Sequence, residues 1–271
     1  MLRFSFSRWQ NLRPRRTHAR WGSHAGRVAH AIVRLENRTL LSSDPILVKD
    51  INPAVAEQSA NPGNFLTIGS LTYFSARTPL GQSTLVITDG TPEGTRQLAH
   101  FSDAPSSQGQ QQLSSFVNVN GRLFFKAFGT FSSRELWTSD GTAAGTVRLL
   151  GTQRLSLEID RLTAIGDTLY FSANGDGTSE EVLWKSDGTQ AGTRPVYAPK
   201  GDDGGRFRPV YMTQLGDKVA FARISHVAED QLWVTDGTEA GTVQIPVRFD
   251  SVGFDRRAFV VAGDRMYFQG P

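Results

Sequence analysis

The chain has 271 residues, of which 10% are aromatic, led by 17 Phe, with 27 Gly and only three Met. This mixture suits strands and tight turns better than a helical bundle. The absence of Cys excludes disulfides, Cys-ligated zinc and a thiol nucleophile. The net charge of +3 is uneven: residues 1–45 carry nine Arg, no Lys and two acidic residues, which gives +7, so residues 46–271 sum to −4. The basic character therefore belongs to the start of the chain.

Residues 1–45 form an Arg-rich leader, which we expect to be a largely disordered or cleaved targeting segment. The leader lacks the run of about 7–15 apolar residues of a conventional signal peptide. No window of the chain approaches the ~18 apolar residues of a membrane span. Trp9 and Trp21 lie between the arginines, so binding of an anionic surface or nucleic acid through the leader is an alternative function. We do not expect nucleic acid to be the main partner.

The segment RLENRTLLS at 34–42 resembles the short L-E-x-R-x-L-L-S element near the N-terminus of large exported bacterial surface proteins. The matching residues are Leu35, Glu36, Arg38, Leu40, Leu41 and Ser42. In those proteins an Arg-rich stretch precedes the element and the mature region follows it, as in this chain. The resemblance implies a protein that is secreted or held at the bacterial cell surface.

Residues 46–271 repeat a segment in which an apolar strand, a tight turn and an aromatic strand follow one another. The pair Asn120-Gly121 within 116–127 is the clearest hairpin signal, because both residues accept positive φ. The counterparts of this hairpin lie at 65–76, 162–173, 212–223 and 259–270. ILVKDI (46–51) looks like the final strand of a repeat whose start is missing.

The sequence D-G-T-x-x-G-T occurs four times, with Asp-to-Asp spacings of 51, 47 and 49 residues. A near-constant period of this size indicates a propeller, a solenoid or an array. We expect the repeated residues to be structural: Asp accepts local backbone hydrogen bonds, Thr ties the loop, the first Gly takes positive φ, and the second Gly takes an αL or bulge position. They are Asp89, Gly90, Thr91, Gly94 and Thr95; Asp140, Gly141, Thr142, Gly145 and Thr146; Asp187, Gly188, Thr189, Gly192 and Thr193; and Asp236, Gly237, Thr238, Gly241 and Thr242.

Each period also has a short strand before the loop and another after it, which makes four strands in about 49 residues. The predicted fold is therefore all-β, a β-propeller-like array of about four complete four-stranded blades with partial repeats at both ends. The leader at 1–45 forms one region, and residues 46–271 form the repeat domain. The complete repeats lie near 58–99, 110–150, 160–197 and 210–247, and a partial repeat lies at 257–271. Because the chain stops where another strand is due, we expect a fragment of a longer array; the alternative is a ring closed by a shared fifth blade.

Three Trp residues precede the motif Asp by three positions, and we expect them to fill the gaps between adjacent blades: Trp137, Trp184 and Trp233. Stacking on sugars is the alternative for these side chains. ELWTSDGT, which begins at Glu135, matches every named position of the bacterial ELWxxDGT repeat family, and the other three copies match in part. The pattern over 46–271 resembles that family, which implies a propeller-like array in a secreted or surface protein and implies no known reaction.

Calcium binding by the DGT loops is an alternative, since Asp, Thr and backbone oxygens are suitable ligands. Each loop offers only one dependable carboxylate, so we expect no cofactor. Paired carboxylates that hydrolyse sugars are conceivable at Asp202 with Asp203, or at Asp176 with Glu180, in the variable stretches. Solvated loops are the simpler interpretation of these acidic residues.

We therefore expect a non-catalytic secreted or cell-surface scaffold or adhesion module whose partner is an extracellular polysaccharide or a surface protein. The first alternative is an extracellular carbohydrate-active enzyme or a glycan-binding propeller. The second is binding of an anionic surface or nucleic acid through the leader.

Overall fold

A computed structural model describes residues 60–78, 81–101, 113–128, 134–151, 158–174, 181–197, 208–224, 230–247, 259–262 and 265–268. Within these ranges the chain forms strands and no helix. Consequently, no helix in the described part of the chain is long and apolar enough to cross a membrane. The leader at 1–45 and the predicted strand at 46–51 lie outside the described residues.

The strands form four sheets, called blades below, in each of which four antiparallel strands pair in chain order. Blade 1 contains β1 (Gly63–Ile68), β2 (Leu71–Arg77), β3 (Ser83–Thr88) and β4 (Arg96–Phe101). Blade 2 contains β5 (Leu113–Val119), β6 (Arg122–Phe128), β7 (Arg134–Ser139) and β8 (Val147–Leu150). Blade 3 contains β9 (Ile159–Ile165), β10 (Thr168–Asn174), β11 (Glu181–Ser186) and β12 (Arg194–Tyr197). Blade 4 contains β13 (Arg208–Leu215), β14 (Lys218–Ile224), β15 (Gln231–Thr235) and β16 (Val243–Ile245).

A two-stranded hairpin follows blade 4, formed by β17 (Phe259–Ala262) and β18 (Arg265–Phe268). The prediction of an all-β, propeller-like array of four four-stranded blades followed by a partial repeat is thus confirmed. The predicted tight turn is also present, because Asn120 and Gly121 have φ of 48° and 81° between the paired residues Val119 and Arg122. The Gly121 N–H donates to Asn118 Oδ1 at 2.9 Å, which fixes the turn.

The first strand of every blade contains a bulge at the same place. The register of β1 with β2 shifts between Gly63 and Leu66, and the other three blades shift at the matching position. One residue in each bulge has a left-handed backbone with φ from 52° to 57°: Asn64, Ser115, Arg161 and Tyr211. Because none of these residues is Gly, their conformation is strained and must be held by the surrounding sheet.

The hydrophobic core lies between consecutive blades. Leu85 and Phe101 of blade 1 cluster with Phe125 of blade 2, and equivalent clusters join blade 2 to blade 3 and blade 3 to blade 4. Burial of apolar side chains at about 25 cal/mol per Å² drives this packing. Each blade is therefore stabilised by its neighbour in the array, as repeat proteins require.

Candidate functional site

The DGT loops join the third and fourth strand of each blade, and in blade 2 the loop runs from Asp140 to Thr146. Asp140 Oδ1 accepts from the backbone N–H of Thr142 at 2.9 Å and from its hydroxyl at 2.7 Å. Thr142 Oγ1 in turn accepts from the Gly145 N–H at 2.9 Å, and Thr146 Oγ1 donates to the Thr142 carbonyl at 2.7 Å. The Asp and Thr roles predicted from the sequence are therefore confirmed in this loop.

The same network occurs in all four loops with nearly identical lengths. The Thr hydroxyl donates to the Asp Oδ1 at 2.7 Å in every copy. The second Thr hydroxyl donates to the first Thr carbonyl at 2.5 to 2.7 Å. Each loop thus closes on itself and presents the same short corner at the end of its blade.

A hydroxyl directly before each Asp completes the network and is not among the residues predicted from the sequence. In blade 2 the Gly141 N–H donates to Ser139 Oγ at 3.2 Å, and Ser139 Oγ lies 2.8 Å from Thr146 Oγ1. Because the Thr146 proton goes to the Thr142 carbonyl, Ser139 is the donor to Thr146. The signal was present in the sequence, since every copy has Ser or Thr at this position: Thr88, Ser139, Ser186 and Thr235.

The first Gly of each motif has φ between 85° and 93°, as predicted. In three loops this Gly also contacts the preceding blade: a Cβ on Gly141 would lie 2.9 Å from Tyr73 Oη, and one on Gly188 would lie 3.4 Å from Phe124 Cζ. Gly237 similarly faces Tyr170 Oη at 3.1 Å, whereas Gly90 of blade 1 has no atom within 4 Å. The glycine therefore serves both the turn and the contact between blades.

The expected αL conformation of the second Gly is wrong. Gly94, Gly145, Gly192 and Gly241 are not among the residues with positive φ. A Cβ at any of these positions would collide with the carboxylate of the motif Asp in the same loop. The residue must be Gly because the loop folds back over the Asp side chain, and a positive φ is not the cause of this requirement.

The motif carboxylates have pKa values below the ordinary value of Asp in all four loops. The hydroxyl of the following Thr is the largest cause and its backbone N–H is the second, because both stabilise the ionised form. Burial opposes the shift only weakly, since these side chains are exposed. Each Asp is consequently an anion that is already hydrogen-bonded within its own loop.

The Trp residues lie in the clusters between blades, as predicted. Trp184 and Trp233 are each only 7% exposed, and Trp137 packs edge-on against Phe101 of the preceding blade at 5.1 Å between ring centroids. Each Trp also stacks on the Phe that faces it across the strand pair, with centroids 6.1 to 6.5 Å apart. Buried rings of this kind cannot offer a platform to sugars, so the stacking alternative does not apply to Trp184 and Trp233.

Charged side chains from three blades meet at the sheet ends opposite the DGT loops. Lys126 of blade 2 pairs with Asp160 of blade 3 at 3.1 Å, and Arg208 of blade 4 pairs with Glu181 of blade 3 at 3.1 Å. The Lys126 and Glu181 side chains are only 9% and 11% exposed. These residues do not recur in the repeat and are not among the residues predicted from the sequence.

The two carboxylates in these ion pairs are shifted in opposite directions. Burial raises the pKa of Glu181 more than the neighbouring Arg208 charge lowers it. Burial also acts to raise the pKa of Asp160, but the hydrogen bond and charge of Lys126 bring the value below that of ordinary Asp. Two carboxylates whose pKa values are shifted in opposite directions also occur in the active sites of acid–base enzymes. Both carboxylates nevertheless hold a cation from an adjacent blade, which gives each a structural role.

No group of three or more potential metal-ligating His, Cys, Asp or Glu side chains comes together within the described ranges. The expectation of no cofactor, with calcium binding as its alternative, stays a prediction to be tested. The acidic pairs considered for hydrolysis, Asp202 with Asp203 and Asp176 with Glu180, lie outside the described residues.

Comparison with known proteins gives no family for this chain: no family model matches, and no curated protein sequence matches. The structural matches are distant. The β-propeller domain of the Trilobed protease from Pyrococcus furiosus has 11% identity and a TM-score of 0.45, with 79% of this chain and 65% of that chain covered. A TolB-type protein from Agrobacterium tumefaciens has 13% identity and a TM-score of 0.38, with 65% of this chain and 61% of that chain covered. The chain spans less than two thirds of either structure.

Proposed function

We propose that the chain is a non-catalytic scaffold or adhesion module that is secreted or displayed at a bacterial cell surface. The observation that supports this proposal is the closed hydrogen-bond network of the DGT loops. The repeated hydroxyls and the Asp Oδ1 atoms all bond within their own loop, as in the network from Ser139 to Thr146. A motif with its polar groups occupied in this way supports structure and offers little to a substrate.

Binding is assigned to the sheet ends opposite the DGT loops. Because the strands of each blade are antiparallel and consecutive, the connections from second to third strand, and from one blade to the next, all attach at that end. The connecting segments vary in length and sequence, whereas the DGT loops keep one length and differ only at the two positions before the second Gly. Variable segments on a constant scaffold are the usual carriers of binding specificity. We infer an extracellular polysaccharide or a surface protein as the partner.

A glycan array and a pull-down from bacterial surface extracts test this proposal. We expect a bound glycan or surface protein to be lost when the 198–207 segment is replaced by a Gly/Ser linker of equal length. The matched control is Thr142→Ser, which changes the motif and keeps its hydroxyl, and binding should be retained. Loss of binding in the motif variant alone, with the linker variant unaffected, would contradict the proposal.

A carbohydrate-active enzyme is the second candidate, and the opposed pKa shifts of Asp160 and Glu181 are its support. A turnover screen on polysaccharides, with Asp160→Asn and Glu181→Gln as controls, distinguishes the candidates. The scaffold proposal expects no turnover by the parent protein. Turnover that disappears in both variants would establish the enzyme instead.

Export through the leader and independence from calcium belong to the same proposal. Deletion of residues 1–45 should leave the protein inside the cell, and normal export of the deleted chain would contradict this assignment. Addition of EGTA should leave the melting temperature unchanged. A lower melting temperature that calcium restores would favour the calcium alternative.

A further inference from the structure

Each of the four DGT loops contains an Asp-Gly pair, a sequence that is prone to spontaneous isomerisation of the Asp. In an Asp-Gly pair the Gly backbone nitrogen can attack Cγ of the Asp side chain, and water leaves as a succinimide ring closes. Water then opens the ring at either carbonyl, which returns Asp or gives isoaspartate. Isoaspartate places an extra methylene in the main chain. The chain has six such pairs, of which four stand in the DGT loops, at Asp89, Asp140, Asp187 and Asp236; the pairs at Asp176 and Asp203 lie outside the described residues.

The structure restrains both reacting partners in every loop. The attacking nitrogen, that of Gly141 in blade 2, has its N–H directed to Ser139 Oγ, and the corresponding bonds of the other loops measure 2.9 to 3.1 Å. The Asp140 carboxylate is held by the N–H and hydroxyl of Thr142, two residues further along the chain. Ring closure requires the carboxyl carbon to leave these bonds and approach the Gly141 nitrogen.

The second Gly of the motif adds a third restraint. The Asp carboxylate lies directly over its Cα, where no Cβ fits. The side chain, although exposed to solvent, is therefore held in place between the first Thr and the second Gly of its own loop. We propose that the hydroxyl before the Asp and the hydroxyl two residues after it protect the Asp-Gly bonds of the four DGT loops from succinimide formation and isomerisation.

The charge state of the Asp, which the same hydrogen bonds control, also supports the proposal. Loss of water in ring closure is far easier from the protonated carboxyl than from the anion. The Thr hydroxyl and N–H lower the pKa of each motif Asp, so the anion persists into more acidic solution. The same two bonds thus position the carboxylate and keep it in its unreactive form.

Peptide mapping by mass spectrometry, after prolonged incubation of the full chain at mildly acidic pH, tests the proposal. In Ser139→Ala and in Thr142→Val we expect isoaspartate at Asp140 to form about fivefold faster, the ratio that corresponds to loss of one ordinary hydrogen bond. Ser139→Thr is the matched control, because Thr occupies this position in blades 1 and 4. Its rate should equal that of the parent protein.

The other three loops of the same molecule serve as internal references. Acceleration at Asp140 alone, with Asp89, Asp187 and Asp236 unchanged, would support local protection by the hydroxyls. Equal rates at Asp140 in both variants and in the control would overturn the proposal. Acceleration at all four sites together would also overturn it, because protection would then come from the folded sheets as a whole.

Discussion

The indole N–H of Trp137 donates to Oε2 of Glu135 at 2.9 Å, two residues earlier on the same strand. Arg148 on the neighbouring strand holds the other carboxylate oxygen at 2.9 Å. In blade 4, Gln231 accepts from Trp233 in the same way at 3.0 Å. In blade 3 the corresponding residue is Val182, and the buried Trp184 Nε1 has no hydrogen-bond partner among the described residues. The Glu of the ELW sequence is therefore an acceptor for the Trp between the blades.

Replacement of Glu135 by Ala should lower the free energy of unfolding by about 1–3 kcal/mol, because the partly buried indole N–H of Trp137 and the Arg148 guanidinium each lose an acceptor. Glu135→Gln is the matched control and should cost much less, since Gln231 already serves Trp233 in this role. Urea denaturation of both variants measures the difference. Equal losses in the two variants would show that the hydrogen bond to the indole contributes nothing.

Trp184→Phe should destabilise the protein less than Trp137→Phe or Trp233→Phe, by about 1 kcal/mol. All three substitutions reduce the size of the apolar ring. Only the substitutions at Trp137 and Trp233 also remove a hydrogen bond from the indole N–H to the residue two positions earlier. In Trp184 the change removes a buried donor that has no acceptor. Chemical unfolding of the three single variants checks the order, and an equal or larger loss for Trp184→Phe would contradict it.

Gly145→Ala should destabilise blade 2 by about 1–3 kcal/mol, because the added Cβ would collide with the Asp140 carboxylate. If this collision is the cause, Asp140→Ala should relieve much of the loss in the double variant. The coupling free energy of the four-member cycle measures the relief. Additive losses would instead indicate that the second glycine is required for its backbone, as the sequence had suggested.

Acid should weaken the DGT loops through their carboxylates. Because the pKa of Asp140 is lower in the folded protein than in the unfolded chain, the stability it contributes is present above about pH 4 and is lost as the pH falls through the folded value. The variant Asp140→Asn cannot ionise and should lack this dependence. We expect the difference in melting temperature between the parent protein and the variant to shrink as the solution is acidified. A constant difference across this range would contradict the assignment.

Features carried by neighbouring, repeated residues could be predicted from the sequence, and features made by distant, unrepeated residues could not. The hairpin at Asn120-Gly121 and the Trp positions follow from turn chemistry and from the period. The bulges were missed because four different residue types adopt the left-handed angle, so no residue signal marks the place. The ion pair of Lys126 with Asp160 joins residues 34 positions apart that occur in one blade pair only.

The second motif Gly shows a different limit of sequence interpretation. Gly145 was correctly identified as structural, but a repeated glycine does not distinguish a backbone requirement from a lack of space for a side chain. Only the position of the Asp140 carboxylate over its Cα separates the two. The Ser or Thr before each Asp, such as Ser139, was overlooked because alternation between two residue types conceals a hydroxyl common to both.

The contact of Gly141, Gly188 and Gly237 with the preceding blade bears on how such arrays change length during evolution. Tyr73 contacts Gly141, and Tyr170 contacts Gly237 in the same way. The face that a blade turns towards the following blade therefore fits the DGT loop of that following blade. Unequal recombination between two gene copies that adds or removes one whole period would therefore rejoin compatible surfaces and leave no mismatched junction. Duplication in units of one period, and not of a fraction of it, is the route that this junction permits.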